Sequence, residues 1–378
     1  MTAYDAIMVG GGVVGASAAY HLVRFGARTL LVDRRHEGRA TDAGAGILST
    51  AEDLDDSDPY DRFAAYAARY YPKLVRQLEA EGGGDTGYGE CGSLTVAVGE
   101  DELRAFERVR AGIFGDRASV GACRAGDYAD LSSERARDLF PPLAQVLGAI
   151  HCARGARVDG RLLASALLRA AKARGLEVRD AAVDDIIVRD LATRGVSIED
   201  EIVPAGHVVL AAGAWSNELG RRIGVRVPVE PQRGQIVHLD LGGVDTGVWP
   251  IVMAFRGHYM VPWPDGRVVV GATRESGSGF APRTTIAGVM EVLREALRVA
   301  PGLREASIRE IRVGLRPASA DGLPILGPVP SVANLMLATG HGSIGLQLGP
   351  YSGNVIAEQI VRGEAEVDMS VFGLGRLA

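Results

Sequence analysis

Three glycines near the start of the chain have the spacing of a dinucleotide-binding turn. Gly10, Gly12 and Gly15 follow an apolar segment, Tyr4–Val9, and precede a segment of helical composition. In such a turn the first glycine permits the tight bend, the second lets a pyrophosphate approach the backbone, and the third lets the helix pack on the strand. The N-terminus of that helix would point free N–H groups at the phosphates.

An acidic residue stands where the ribose of such a nucleotide would lie. Asp33 closes the next predicted strand, Thr29–Val32, and comes 18 residues after Gly15. A carboxylate at this place can accept hydrogen bonds from both ribose hydroxyls. Because strand, turn, helix and strand form a complete βαβ unit, a glycine turn that binds nothing is the less favoured interpretation.

The glycine turn alone leaves open whether the dinucleotide is NAD or FAD. Three later segments rich in glycine and alanine favour FAD: Ala40–Ile47, Ala211–Trp215 and Thr339–Ser343. A large, permanently bound cofactor needs contacts from several parts of the chain, whereas an exchanging nicotinamide needs fewer. The last segment also precedes a predicted helix, whose N-terminus could stabilise negative charge on a reduced flavin.

The composition is that of an ordinary soluble globular protein and excludes several classes. Of 378 residues, 47% are hydrophobic and 23% are charged, and the length predicts two domains. The formal net charge is −6 without a basic stripe, which argues against nucleic acid or an anionic membrane as the main partner. The two lysines, Lys73 and Lys172, do not lie in a convincing Schiff-base site.

Cysteine usage and the lack of a recognisable targeting signal predict a cytoplasmic protein. Cys91, Cys123 and Cys152 are scattered without a CxxC spacing, so we expect neither a disulfide framework nor a zinc site. No signal-peptide pattern precedes the first strand, and no apolar run reaches the roughly 18 residues that a membrane-spanning helix requires. The acidic stretch 52–58 predicts a solvated loop, and we expect no metal.

The order of helical and strand patterns predicts a doubly wound α/β fold into which a β-rich block is inserted. We predict one continuous strand at Val178–Val188, a strand-like segment Ile311–Leu315 that ends before Arg316, and a final helix around Tyr351–Val361. The second domain is therefore expected to be discontinuous in sequence.

The motifs along the chain resemble those of one enzyme family. They are GGGVVG at 10–15 with Asp33, TDAGAGILS at 41–49, LAAGAWS at 210–216, RGQIVHL at 233–239, YMVPWPDGRVVVGAT at 259–273, VGLRPASADGLPILG at 313–327 and ATGHGSIGLQLGP at 338–350. Their order resembles the glycine oxidase and D-amino-acid oxidase-type (DAO) family of FAD-dependent amine oxidoreductases, which also holds sarcosine oxidases and D-amino-acid dehydrogenases. The resemblance covers nearly the whole chain, and the last three motifs together are quite specific.

The resemblance implies a fold in which the flavin is buried between two domains. A Rossmann-type FAD-binding domain would comprise residues 1–85, 146–225 and 316–378. A discontinuous mixed-sheet substrate domain would comprise residues 86–145 and 226–315. The fold class is then α/β combined with α+β.

The resemblance also implies roles for individual residues. FAD contacts are expected at Val13, Val14, Asp33, Arg34, Ala40, Thr41, Ala45, Gly46, Ile47 and Val183, and in the loop that comprises His341, Gly342, Ser343, Ile344, Gly345 and Leu346. Gly10, Gly12, Gly15, Gly213 and Gly340 complete the predicted cofactor site. Arg316 is expected to grip a substrate carboxylate, and Tyr259 to assist it.

The implied reaction is oxidation of a small amino acid or secondary amine by hydride transfer from Cα to flavin N5, followed by hydrolysis of the imine. Arg316 suits the carboxylate because a guanidinium offers two parallel hydrogen bonds, although an interface arginine paired with a protein acid is the alternative. Tyr259 could bind the carboxylate or be a core tyrosine. For His341, a role of its loop in stabilising reduced flavin is favoured over proton transfer by the ring.

Two departures from the family pattern bear on the substrate and the electron acceptor. Ser343 stands where glycine oxidases carry a second arginine, which weakens the case for glycine and leaves room for a bulkier or cyclic substrate. No lysine occurs in the late segment to match the oxygen-activating lysine of sarcosine oxidases. The sequence therefore leaves open whether the electron acceptor is oxygen or another molecule. Oxidation of a 2-hydroxy acid, a tailoring oxidation of a larger metabolite, a flavin-binding subunit of a larger dehydrogenase and an NAD enzyme stay open, as does a homo-oligomer.

Overall fold

Two eight-stranded sheets and a third sheet of three short strands form the computed structural model, which describes residues 3–48, 58–114 and 125–377. Within these ranges the strands, in chain order, are β1 (Tyr4–Val9), β2 (Thr29–Val32), β3 (Ile47–Leu48), β4 (Gly89–Glu90), β5 (Ser93–Ala97), β6 (Tyr128–Leu131), β7 (Gly148–Cys152), β8 (Ala156–Arg157), β9 (Glu177–Arg179), β10 (Asp185–Arg189), β11 (Ala192–Ile198), β12 (Glu201–Leu210), β13 (Val229–Asp240), β14 (Ile251–Ala254), β15 (Tyr259–Pro262), β16 (Arg267–Gly271), β17 (Ser307–Ser319), β18 (Ile325–Pro328) and β19 (Leu335–Thr339). The helices of the same ranges are α1 (Val13–Arg24), α2 (Pro59–Ala80), α3 (Glu100–Phe114), α4 (Ser133–Leu139), α5 (Gly160–Ala173), α6 (Ser216–Arg222), α7 (Ile286–Val299) and α8 (Gly345–Arg362).

The first sheet is built around the predicted N-terminal βαβ unit. Strand β1 lies between β2 and β12 and is parallel to both, β19 adds to β12 in parallel, and β9 adds to β2. Ala6 and Met8 of β1 pack in the core formed with α1, α2, α5 and α8, whereas Ile7 and Val9 pack on the opposite face. This alternation follows from the two-residue period of a strand, and it buries both faces of the sheet.

The second sheet is mixed and mostly antiparallel, in the order β17-β13-β16-β15-β14-β5-β7-β6. One face packs against α7, with Val292 and Ala296 among the buried contacts. On the other face, Ile236 and Val269 pack together with Ala45, which comes from the N-terminal part of the chain. The second sheet therefore presents its apolar inner face to the nucleotide-binding side, as the predicted α/β plus α+β fold class requires.

Two strands do not follow the predicted domain division. Strand β7 falls in the segment 146–225 that was expected in the FAD-binding domain, yet it pairs with β5 in the second sheet. Strand β17 continues through the predicted boundary at Arg316, because Pro317 lies opposite Pro231 of β13 and the ladder extends to Ser319. A proline lacks the N–H that a ladder uses, and this made an earlier strand end the natural expectation. The division into two domains stays a prediction.

Two predicted elements have the wrong bounds. The single strand at Val178–Val188 is wrong, since β9 and β10 are separated by an irregular loop, 180–184, in which Val183 lines the central cavity. The last helix begins at Gly345, six residues before the predicted start at Tyr351, and contains Pro350. Because Pro350 has no N–H, the carbonyl of Leu346 lacks its helical donor, and the Tyr71 hydroxyl donates to it instead.

Some predicted features lie outside the described residues. They are Cys123, Ser49 of the segment 41–49, and Glu52, Asp53, Asp55 and Asp56 of the acidic stretch. Asp58, the last acid of that stretch, is described, and its carboxylate caps α2 by accepting from the N–H groups of Tyr60 and Asp61.

Candidate active site

One cavity joins the glycine turn of the first sheet to the inner face of the second. It is lined by most of the predicted cofactor and substrate residues: Gly10, Gly12, Val13, Val14, Asp33, Arg34, Ala40, Thr41, Ala45, Gly46, Ile47, Val183, Gly213, Tyr259, Arg316, His341, Gly342, Ser343, Gly345 and Leu346. Three predicted residues, Gly15, Gly340 and Ile344, do not line it. The structure thus brings together residues from six separate motifs.

The glycine turn is shaped by two close approaches of the backbone. Gly10 has φ +108°, and a Cβ there would lie 2.5 Å from the carbonyl oxygen of Ala211. A Cβ on Gly15 would lie 2.0 Å from the carbonyl oxygen of Gly10. Gly15 therefore acts by packing α1 onto the turn, which explains why it is absent from the cavity wall.

The N-terminus of α1 opens toward the cavity. Its first residue is preceded by Gly12, which offers no side chain to cap the helix. The N–H of Val13 donates to Thr41 Oγ1 at 3.0 Å, so the loop that follows β2 is fastened to the turn. An uncapped helix N-terminus with small residues around it is suited to a phosphate group.

Asp33 lies directly against the glycine turn. A Cβ on Gly11 would be 2.6 Å from Asp33 Oδ2. The carboxylate accepts hydrogen bonds from the Arg35 N–H at 2.9 Å and from Arg39 Nη1 at 2.8 Å. Because an ionised carboxylate has about four acceptor positions, it can still accept from ribose hydroxyls. Arg39, which the sequence did not single out, is held by both Asp33 and Asp42.

The surroundings of the His341 ring do not suit acid–base catalysis. Its Nε2 lies 2.9 Å from Ser352 Oγ, and that hydroxyl donates to the carbonyl of Leu348 at 3.0 Å. The Ser352 oxygen therefore accepts the proton that His341 carries on Nε2. Burial lowers the pKa of His341 to about 4, so the ring is neutral at physiological pH. The geometry favours the loop over the ring, because Gly342, Ser343 and Gly345 line the cavity beside it.

Arg316 and Tyr259 reach the cavity from the second sheet. The Arg316 guanidinium hydrogen-bonds the Tyr259 hydroxyl, and its Nη1 donates to the carbonyl of Thr273 at 2.9 Å. Both polar groups lie above glycines: a Cβ on Gly234 would come within 2.4 Å of the guanidinium, and one on Gly271 within 2.9 Å of the hydroxyl. Because neither glycine carries a side chain, there is space for the guanidinium and the hydroxyl to meet.

The charge state of this pair suits an anionic ligand. Burial raises the pKa of Tyr259, which keeps its proton available for donation. Burial lowers the pKa of Arg316, but a guanidinium keeps its charge at neutral pH. Across the described residues no carboxylate forms an ion pair with Arg316, so the alternative of an interface arginine neutralised by a protein acid finds no partner there.

Arg274 is another arginine of the cavity wall that was not singled out from the sequence. Arg274 follows Thr273, the residue whose carbonyl accepts from Arg316. Its side chain is exposed at the mouth of the cavity, and Nη1 donates to the carbonyl of Gly257 at 3.0 Å. The motif 259–273 ends one residue before it. The usable signal was its position three residues after β16, a mostly buried strand that ends at Gly271.

An aromatic stack forms another part of the wall that sequence reasoning missed. The rings of His36 and Trp215 are stacked with centroids 4.5 Å apart, and both residues line the cavity. Phe280 packs against the outer side of Trp215, with centroids 5.7 Å apart. The loop that carries Arg274 and Phe280 is thereby packed against the nucleotide-binding side.

The family assignment comes from comparison with known proteins. The family model described as "FAD dependent oxidoreductase", abbreviated DAO, matches residues 5–359. The chain belongs to the DAO family. An uncharacterised oxidoreductase of Bacillus subtilis is 38% identical over 97% of both chains. A glycine oxidase of Geobacillus kaustophilus is 29% identical, over 99% of this chain and 97% of its own.

Solved structures of the DAO family share this fold. The crystal structure of iminodiacetate oxidase from Chelativorans sp. BNC1 is similar with a TM-score of 0.89 and 41% identity, over 97% of this chain and 98% of its own. The crystal structure of glycine oxidase from Geobacillus kaustophilus gives a TM-score of 0.88 at 29% identity, over 99% of each chain. The protein is an FAD-dependent oxidoreductase of the type that acts on C–N bonds, and the Rossmann-type fold class is confirmed.

The cavity of this DAO-family member fits FAD. The uncapped N-terminus of α1, the glycines that allow close approach and the carboxylate of Asp33 match a pyrophosphate and a ribose. Ala45, Gly46 and the 342–346 loop would complete the contacts along the remainder of the cofactor. NAD, the competing nucleotide, is excluded by the family.

The described ranges give two further findings. No helix among them is both long and apolar enough to cross a membrane. Within the same ranges, no group of three or more His, Cys, Asp or Glu side chains is arranged to hold a metal ion.

The neutral state of His341 predicts a pH dependence of stability. The pKa of His341 is about 4 in the folded protein, below the ordinary value of 6.5. Between these two pH values only the unfolded chain binds this proton. Its contribution to stability is therefore complete above pH 6.5 and is lost as the pH falls toward 4. We expect wild-type protein to lose about 1–2 kcal/mol more unfolding free energy between pH 7 and pH 5 than His341→Gln, which can keep the bond to Ser352.

Urea unfolding of both proteins at the two pH values measures this difference. Equal losses in wild type and variant would contradict the neutral assignment. An unchanged FAD content in His341→Gln at pH 7 is the control, because it shows that the loop has kept its shape.

Proposed function

We propose that this enzyme oxidises the C–N bond of a small amino acid or secondary amine that carries a carboxylate, and that the resulting imine is hydrolysed by water. The observation that supports this most is Arg316, a charged guanidinium that faces the cavity, hydrogen-bonds Tyr259 and has no ion pair with a described acid. Such a group is suited to hold a carboxylate through two parallel hydrogen bonds.

The residues of the second sheet would position the substrate against the cofactor side. Arg316 binds the carboxylate, and the protonated Tyr259 donates a further hydrogen bond to it. Bound FAD supplies the two-electron oxidation of the amine. Arg316 is held by the carbonyl of Thr273, and the two side chains occupy the recesses above Gly234 and Gly271, so little ordering is required when the substrate binds.

Ser343 supports a substrate larger than glycine. Its short side chain lines the cavity at the position for which the family resemblance implied a second arginine in glycine oxidases. The relatives named for glycine and for iminodiacetate both act, by name, on amines that carry carboxylates. Iminodiacetate contains a secondary amine and therefore belongs in the substrate panel beside sarcosine.

An anaerobic titration tests the proposed reaction. The purified yellow holoenzyme is mixed with glycine, sarcosine, iminodiacetate, proline, D-amino acids and, as the opposing class, 2-hydroxy acids. We expect one or more amines to bleach the visible flavin absorption band and the hydroxy acids to leave it unchanged. Bleaching by hydroxy acids alone, or by nothing in the panel, would refute the proposal.

The acceptor and the location complete the proposal. Readmitting air after bleaching shows whether oxygen restores the oxidised flavin, and a slow return would indicate another electron acceptor. We propose a cytoplasmic enzyme whose partners are the amine and this acceptor. A homo-oligomer stays a prediction that the molar mass of the holoenzyme in solution would test.

A further inference from the structure

We propose that residues 275–285 form a clasp over the cavity, and that FAD enters and leaves the protein only when this clasp opens. The segment follows Arg274 of the cavity wall and leads to α7, which begins at Ile286. The clasp acts on the cofactor alone, so its role is independent of which substrate the enzyme oxidises.

Both ends of the clasp are fastened to the same short stretch of β13. At the first end, Glu275 pairs with the buried Arg233 at 2.6 Å and accepts from Gln235 Nε2 at 2.7 Å. At the other end, the N–H of Thr285 donates to Gln235 Oε1 at 2.9 Å. Because Arg233 and Gln235 are buried and charge-assisted bonds are strong, the clasp has a rigid base from which residues 276–284 project as a loop.

Two glycines connect the first end of the base to the tip of the loop. Gly277 and Gly279 have φ values of +71° and +63°, and nothing lies within 4 Å of the Cβ position of either. Glycine gives the backbone more conformational freedom than any other residue. The tip can therefore swing about these two positions while the base stays in place.

The tip, residues 280–282, lies on the nucleotide-binding side of the cavity. The Phe280 ring packs against Trp215, with ring centroids 5.7 Å apart. A Cβ on Gly38 would lie 2.6 Å from Pro282 Cβ, so the proline ring lies directly on the backbone of Gly38. Trp215 follows β12 and Gly38 follows β2, both of which are strands of the first sheet. The clasp thus bridges the two sheets between which the cavity lies.

The residues under the tip belong to the cofactor part of the cavity wall. Trp215 stacks on His36 with centroids 4.5 Å apart, and both line the cavity together with Asp33, the carboxylate assigned to the ribose. Phe280 does not line the cavity. It therefore acts from outside, by holding Trp215 in the wall. When the tip lifts, this part of the wall loses its outer support and the nucleotide can pass.

The contacts of the tip are modest, as an opening clasp requires. The Phe280 side chain stays 40% exposed against Trp215. Arg233 Nη1 donates to the carbonyl of Ala281 at 3.3 Å, which links the tip to the base. An aromatic contact of this kind changes an equilibrium by about 10-fold, so removing the Phe280 ring should make the open state about 10-fold more frequent.

Release of FAD from the holoenzyme tests the clasp. The holoenzyme is diluted into buffer with a phosphodiesterase that cleaves FAD once it is free, and the rise in flavin fluorescence gives the dissociation rate. We expect Phe280→Ala to raise this rate about 10-fold. Phe280→Tyr keeps the ring and should stay within about twofold of wild type. Phe114→Ala is the matched control and should change nothing, because Phe114 is 46% exposed on α3 and does not line the cavity.

The rate of FAD binding separates a clasp from a direct contact with the cofactor. All contacts of the tip are made with protein residues, so they form with or without FAD. Opening then limits both directions, and Phe280→Ala should speed binding of FAD to the apoprotein as well as its release. The Kd for FAD should consequently change less than about threefold. Quenching of the fluorescence of added FAD measures the binding rate.

Pro282→Gly tests the other contact of the tip. It removes the ring that lies on Gly38 and should also raise both rates, and the double variant with Phe280→Ala should exceed each single variant. Thermal unfolding of the apoproteins shows whether the variants are folded.

The clasp would be overturned by a dissociation rate in Phe280→Ala within about twofold of wild type. A faster release with an equally raised Kd would also overturn it, because Phe280 would then stabilise the complex without controlling the path of the cofactor. Neither measurement uses a substrate, so failure of the clasp leaves the proposed amine oxidation untouched, and failure of that function leaves the clasp in place.

Discussion

Arg316→Ala is expected to lower kcat/KM for a carboxylated amine by about 100- to 1,000-fold, because truncation removes the half-buried cation that pairs with the carboxylate. The loss should appear mainly as a raised KM. FAD should stay bound, since the guanidinium belongs to β17 of the second sheet, whereas the glycine turn and Asp33 belong to the first. Steady-state kinetics and the ratio of flavin to protein absorbance measure the two effects.

Two further variants separate the charge of Arg316 from its placement. Arg316→Lys keeps a cation but loses the planar fork, so we expect activity between that of wild type and Arg316→Ala. Gly234→Ala keeps the arginine in the sequence and inserts a methyl group within 2.4 Å of the guanidinium, which must then shift from its position. It should also raise KM. A wild-type KM in Arg316→Ala would show that the carboxylate is held elsewhere.

The N-terminal half of the site was predictable because its signals are local. The spacing of Gly10, Gly12 and Gly15, with Asp33 after the next strand, is contained in one βαβ unit. Each of these residues answers a steric or charge requirement of the turn itself. The N-termini of α2 and α5 are also fixed locally, since Asp58 and Asp159 cap them through side-chain hydrogen bonds.

The remainder depended on pairing between distant segments. Strand β7 belongs to the second sheet through its partner β5, more than 50 residues earlier, and no local pattern specifies that choice. The position of Arg274 at the cavity followed only from the pairing of β16 with β15 and β13. The role of the His341 ring was likewise decided by Ser352, which lies about two turns into a helix whose start the sequence had placed too late.

Gly15→Ala is expected to abolish FAD binding in the purified protein and to lower the free energy of unfolding by about 3 kcal/mol. The added methyl group would lie 2.0 Å from the carbonyl oxygen of Gly10 and 3.3 Å from the Ala211 side chain. Because the first of these atoms is backbone, α1 must move away from the turn. The N–H groups at its N-terminus then leave the place where the pyrophosphate binds, although Gly15 itself does not line the cavity.

Flavin absorbance of the purified variant and thermal unfolding with and without added FAD measure this effect. Wild-type apoprotein should gain stability when FAD is added, as a bound ligand stabilises the folded state, and Gly15→Ala should gain none. Gly375→Ala is the neutral control, since nothing lies within 4 Å of its Cβ position. Gly353→Ala crowds α1 from α8, 2.5 Å from the Ala18 nitrogen, and should also cost stability. If Gly15→Ala kept its FAD, the position of α1 would not control cofactor binding, and the open helix N-terminus would lose its role in the site.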